Sequence, residues 1–381
     1  MTGDPGGSAT DLGAHAQNLG AHAQNLGAHA LALARVFTAG GRLVVTAPGR
    51  QDHARHVAVE FIHPAITGAR ALPAMAVDTG DLVTAVGEND AVLIIEDPTP
   101  GQSKPLEAPP AALTIRVGGA ESPLAGSDLV RWYHLLWELV QLGLEHPGIT
   151  GGNASAGGDS TSFLYPFLDA SESDDQALLS ALITSAGAKS AESHRLAERS
   201  LDQNRQAIDN AAADIAARHQ SGGTVFAIGN GGSACDAARL VRLLKTRGIR
   251  AAGFAEDPAV ITALANDLGA NMIFSRQAEA GLGARDVLVA FSTSGSSKNL
   301  LAALDVPTAA TASVIAIAGY DGGPLCQHRN VDHRLIVDSS SVHRIQETQA
   351  RLIDELCLTL NTATPKNVTP KNVTPKDEVT L

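Results

Sequence analysis

The sequence predicts an α/β protein, a doubly wound parallel sheet flanked by helices and built as two tandem units. Three observations carry this. From residue 222 onward, short apolar runs alternate with segments of helical period, the pattern of parallel strands joined by crossover helices. Two turns rich in glycine and hydroxyls, Gly229-Asn230-Gly231-Gly232-Ser233 and Ser292-Thr293-Ser294-Gly295-Ser296-Ser297, each follow a strand and precede a helix. That position is the carboxyl edge of the sheet, where such folds bind ligands. Finally, the glycine pair, strand and turn of Gly40–Gly49 recur at Gly222–Gly231, so the chain starts the same unit twice.

In chain order, residues 1–32 read as an arm. A seven-residue unit, Leu12-Gly-Ala-His-Ala-Gln-Asn, repeats from Leu19 and begins again at Leu26. Glycine stands where a coiled coil needs a second apolar position, which marks low complexity. Residues 33–147 form the first unit: a strand in Leu43–Ala47, a helix carrying His56 and Glu60, a strand at Asp90–Ile95 and a helix over Asp128–Leu144 with His134 and Glu138 on one face. Residues 148–172, rich in Gly, Ser and Ala, are a linker. Residues 173–361 form the second unit. It opens with helix over Asp174–Gln220, followed by strand Thr224–Ile228, helix Ala234–Thr246, strand Ala251–Phe254 and helices Pro258–Leu268 and Ile273–Ala280. Strand Val287–Phe291, helix Lys298–Leu304, strands Val314–Ala318 and Arg334–Val337 and helix Val342–Leu360 complete it. Residues 362–381 repeat a proline-containing five-residue unit and read as a disordered tail.

A net charge of −12 argues against a nucleic-acid partner or an anionic membrane surface. No apolar run reaches the length of a membrane span. Cys235, Cys326 and Cys357 are odd in number and lack CxxC spacing, which suits a cytoplasmic location and core-filling roles. Two hydroxyl- and glycine-rich turns at helix starts can hold one phosphate dianion with backbone N–H groups and side-chain hydroxyls, without basic residues.

These residues resemble the SIS (sugar isomerase) superfamily and, within it, the phosphoheptose isomerase branch. The similarity runs from Gly229-Asn-Gly-Gly-Ser-Ala-Cys-Asp236 through Ile261-Thr-Ala-Leu-Ala-Asn-Asp267, Ile273-Phe-Ser-Arg276 and Asp286–Ser297 to Arg344-Ile-Gln-Glu347. The resemblance implies a sugar-phosphate ligand, with Gly231, Gly232, Ser233, Ser292, Ser294 and Ser297 at the phosphate and Asn230, Asp267, Thr293 and Gln346 at the sugar. It also implies isomerisation of sedoheptulose 7-phosphate by a base, an acid and a metal. The family's metal-site positions hold Arg239, Leu243, Gln346 and Asp354 here, and His343 replaces its Asp before Arg-Ile-Gln, so only Gln346 is kept.

Asp354 is then a candidate base on its own, or a partner for Arg239. The first unit resembles a degenerate SIS half: His56 and Glu60 match the spacing of the family's metal helix, while Glu96-Asp97-Pro98 stands where serines would bind phosphate. Two such halves imply an internal pseudo-dimer or a homo-oligomer. If they face each other, His56 and Glu60 would supply acid/base groups to the second unit's phosphate turns, and zinc would bind only at that composite site. The alternatives are a solvated His/Glu pair on an amphipathic helix and a non-catalytic sugar-phosphate sensor or protein-binding scaffold.

Overall fold

The structure is a computed structural model that describes residues 25–64, 69–96, 106–118, 124, 126–145 and 175–363. The first two repeats of the arm, Asp97-Pro98, the linker 148–172 and the tail from 364 lie outside the described residues.

The first unit contains helix α1 (25–38), β1 (Leu43–Thr46), α2 (Gln51–Ile62), β2 (Ala74–Ala76), α3 (Leu82–Ala85), β3 (Ala91–Ile95), β4 (Leu113–Val117) and α4 (Gly126–Glu145). Its four strands are all parallel in the order β2-β1-β3-β4. The second unit runs α5 (Asp175–Gln220), β5 (Val225–Ile228), α6 (Gly232–Lys245), β6 (Ala251–Gly253), α7 (Pro258–Asp267), α8 (Ser275–Gly281), β7 (Val287–Ser292), α9 (Lys298–Leu304), β8 (Ser313–Gly319), α10 (Gly323–Gln327), β9 (His333–Val337) and α11 (Val342–Ala363). Its sheet, also parallel, has the order β6-β5-β7-β8-β9. Both units place their first strand second from the edge, so the topology itself repeats.

β3 and β7 are buried along their whole length, and their unbroken apolar runs reflect helices covering both faces. The expected boundary between arm and first unit at 32/33 falls inside α1. Leu26, Ala30 and Leu31 of the third repeat are buried in the first unit's core with Leu33, Ala34 and Phe37, so the helix starts earlier than glycine content suggests. The long α5 serves both cores: Leu182 and Ala186 join the first, and Leu201, Ile208 and Ile215 the second. The units meet helix to helix, α2 against α6 and α4 against α11, with α5 packed along α4 and α11. Among the described residues no helix is long and apolar enough to cross a membrane.

Candidate functional site

The two hydroxyl-rich turns are tied together. The side-chain amides of Asn230 and Asn299 exchange hydrogen bonds of 2.9 and 2.8 Å, which fixes the start of α9 against the glycine turn. Within the serine turn, Ser292 Oγ accepts from the Gly295 amide (2.9 Å), and the Ser294 and Ser296 hydroxyls bond each other (2.9 Å). Gln349 on α11 donates to the Ser292 carbonyl at 2.9 Å, so the last helix holds the turn from below. Asn230, Gly231 and Ser294 are exposed, Thr293 and Ser297 half-buried, and Ser233 and Ser292 buried. α6 begins at Gly232, two residues earlier than expected, so Ser233 stands in its first turn, its amide donating to the Asn230 carbonyl at 3.0 Å. Asp267 stands exposed at the end of α7 and accepts from Asn266.

The glycine turn reaches the other unit at Gly232. A Cβ there would collide with Gln346 Nε2 and lie 2.9 Å from His56 Nε2 and 3.1 Å from Glu60 Oε1. α2 therefore delivers both of its candidate residues to the edge of the phosphate turn. Asp52, in the first turn of α2, holds the two helices in register through a bidentate pair with Arg242 of α6 (2.7 and 2.8 Å). His56 is set from both sides. Its Nδ1 is 2.8 Å from the Tyr133 hydroxyl on α4, and its Nε2 is 3.5 Å from Glu60 Oε1 and 3.4 Å from Gln346 Nε2 on α11.

Behind these residues lies a buried charge network that joins both units. His343 bridges Glu60 Oε2 (3.3 Å) and Glu138 Oε1 (2.9 Å). Arg344 pairs with Glu138 (2.9 Å) and Glu347 (2.6 Å), and Lys189 of α5 reaches Glu138 at 2.5 Å. His134 stacks on His343 with ring centres 4.6 Å apart and approaches Glu347 at 3.3 Å. Burial alone would lower the His343 pKa, but Glu138 and Glu60 raise it to about 9. Burial would raise Glu60, and its hydrogen bonds with His343 and His56 outweigh that, holding it well below the usual carboxylate range. His134, dominated by burial, falls to about 4 despite Glu347. Charged His343, Arg344 and Lys189 thus face ionised Glu60, Glu138 and Glu347, with His134 neutral among them.

His56, Glu60 and His134 have ligand atoms within 4.8 Å of one another, and all three are buried. His134 Nε2 and Gln346 Oε1 are buried without a hydrogen-bond partner. Two imidazoles, a carboxylate and an amide oxygen suit zinc or a similar divalent ion, and the unpartnered atoms fit that role. Sequence reasoning placed His134 on the right helix but gave it no task. The available signal was spacing: Gly126 to His134 on α4 repeats Gln346 to Asp354 on α11, eight residues each.

Of the two readings of Asp354, a lone base or a partner for Arg239, the geometry has the pairing. Its Oδ1 pairs with Arg239, and its Oδ2 accepts from the Ser127 amide at 3.0 Å, so the carboxylate is occupied as an ion-pair partner and helix cap.

A SIS-domain family profile matches residues 190–319. A phosphoheptose isomerase of Citrifermentans bemidjiense is 36% identical over 157 residues, 40% of this chain and 81% of that protein. One from Campylobacter concisus is 38% identical over 150 residues, 38% of this chain and 78% of its own length. The C-terminal domain of glucosamine-fructose-6-phosphate aminotransferase from Francisella tularensis has a similar fold. Its TM-score is 0.54 at 11% identity, over 95% of this chain and 98% of that one. The chain belongs to the SIS-domain family, with phosphoheptose isomerase homologues over part of its length.

Proposed function

We propose that the chain is a sugar-phosphate isomerase with one site shared between its halves. The observation that carries this is the contact of Gly232, in the turn suited to phosphate, with His56, Glu60 and Gln346 at once. The turns Asn230–Ser233 and Ser292–Ser297 bind the phosphate through amides and hydroxyls. The names of the relatives point to a phosphorylated heptose, sedoheptulose 7-phosphate, as substrate. A divalent ion held by His56, Glu60, His134 and Gln346 would polarise the carbonyl. Glu60, ionised across the neutral range, takes the proton from the carbon beside the carbonyl and returns it to the neighbouring carbon. His56, its ring fixed by Tyr133, orients the ion and Glu60 toward the sugar. The same reading carries a cytoplasmic location and an internal pseudo-dimer whose site needs no second copy.

A second reading, a sensor or scaffold without turnover, is favoured by one observation: both oxygens of Glu60 are engaged, by His343 and His56. Melting temperature against sugar phosphates, with zinc or EDTA, separates the two. At a ligand concentration 100 times Kd the stabilisation amounts to about 2.7 kcal/mol. A zinc-dependent shift with sedoheptulose 7-phosphate, accompanied by turnover, supports the isomerase. A zinc-independent shift without turnover supports the sensor, and no shift with any sugar phosphate removes the phosphate site.

A further inference from the structure

The two units face each other so that the same kinds of element meet at two places. At the first, α2 supplies His56 and Glu60, α4 supplies His134, and Gln346 near the start of α11 reaches His56. At the second, α6 supplies Arg239 and Leu243, α11 supplies Asp354, and Ser127 at the start of α4 reaches Asp354. Position fixes the correspondence. α2 and α6 each follow the first strand of their sheet and carry their pair four residues apart. The eight-residue step on α11 and that on α4 then match Asp354 with His134 and Gly126 with Gln346.

The chemistry at the two places is opposite. The first gathers neutral and anionic donors, two of whose atoms lack a partner. The second holds a guanidinium that is 2% exposed, donating to the Ala350 carbonyl at 2.9 Å and paired with Asp354. A Cβ at Gly126 would lie 2.5 Å from Asp354 Oδ2, so nothing like the long Gln346 side chain fits beside it. The neighbouring sheet edge is closed as well. Glu96, in line with Ser292 of the other unit, pairs with Arg116 at 2.7 Å, and Arg50 donates to its carbonyl.

We infer that Arg239 is a built-in cation that seals the pseudo-equivalent of the candidate site, so that the chain carries one ligand- and metal-binding site rather than two. A buried guanidinium repels a metal ion and satisfies the carboxylate that would otherwise bind one. The inference rests on the composite-site reading only for where the first ion binds.

Zinc alone, added to the full chain by equilibrium dialysis and counted by elemental analysis, tests it. The parent is expected to hold one ion, and the variant Arg239→His/Leu243→Glu/Asp354→His, which copies the first place onto the second, two. Two ions in the parent, or no gain in the variant, overturns the inference. No ion in the parent but one in the variant upholds it while removing the metal from the proposed function. Melting provides a measurement that does not need the triple variant to fold. Asp354→Asn leaves a buried unpaired guanidinium and is expected to lower Tm by about 5 °C or more. Arg239→Met/Asp354→Leu is expected to recover most of that loss. A double variant that melts no higher than Asp354→Asn overturns the sealing pair.

Discussion

His343 and His134 stack face to face yet titrate in opposite directions, because only one of them lies between two carboxylates. The folded pKa of His343, about 9, is above the unfolded value of about 6.5. Its contribution is therefore complete below about pH 6.5 and is lost as pH rises through about 9. For His134, folded pKa about 4, the stability is present above about pH 6.5 and is lost as pH falls toward 4. Melting scans of EDTA-treated protein are expected to show a fall on each side. His343→Gln should flatten the alkaline side and cost about 3–5 kcal/mol, since it leaves Glu60 and Glu138 short of a buried partner. If the alkaline slope survives that substitution, His343 is not its source. Gly232→Ala forces a methyl group onto Gln346 and His56. It is expected to cost about 1–3 kcal/mol of stability and at least tenfold in sugar-phosphate affinity, readable by calorimetry. At this scale the resemblance to the family's metal-site positions disclosed the His56/Glu60 pair and the Arg239–Asp354 alternative. It could not disclose the bond between His343 and Glu60, because nothing local relates residues 283 positions apart.

The central strands of both sheets were legible as buried apolar runs between helices, whereas β2 and β4, only partly buried, carry no such run and were not read from the sequence. The exceptions have physical reasons. α1 was hidden by its glycine-bearing repeat, yet Gly27 is where the helix comes close to Leu179 of α5, so low helix propensity there coincides with tight packing. The register of α2 against α6 depends on Asp52 and Arg242, an ion pair between units that no sequence period encodes. α7 buries no residue fully and is held at its start by Asp257, whose side chain accepts from the amides of Ala259 and Val260. Asp257→Ala is expected to cost about 1 kcal/mol locally. Hydrogen exchange should speed up at residues 259–262 while the global melting temperature barely moves, and unchanged protection there would show that the cap does not hold the helix.

The described residues form a single chain built like a dimer: two parallel sheets that share one order over four strands, the second adding β9, with helix pairs α2/α6 and α4/α11 meeting between them. Duplication was readable in the recurring glycine pair and turn, and loss of serines at Glu96 was readable too. The facing of the halves was not, since it depends on packing between helices far apart in sequence. In the proposed reading that facing lets each half contribute what the other has lost, phosphate turns from one and ionisable residues from the other. Incorporation of solvent deuterium at the carbon beside the carbonyl of sedoheptulose 7-phosphate, followed by mass spectrometry, tests this division directly. The parent chain is expected to exchange that proton, and Glu60→Gln and Ser294→Ala, one in each half, to slow the exchange at least a hundredfold and tenfold respectively. Full exchange in Glu60→Gln, or none in the parent with zinc and saturating sugar, would contradict a site shared between the two halves.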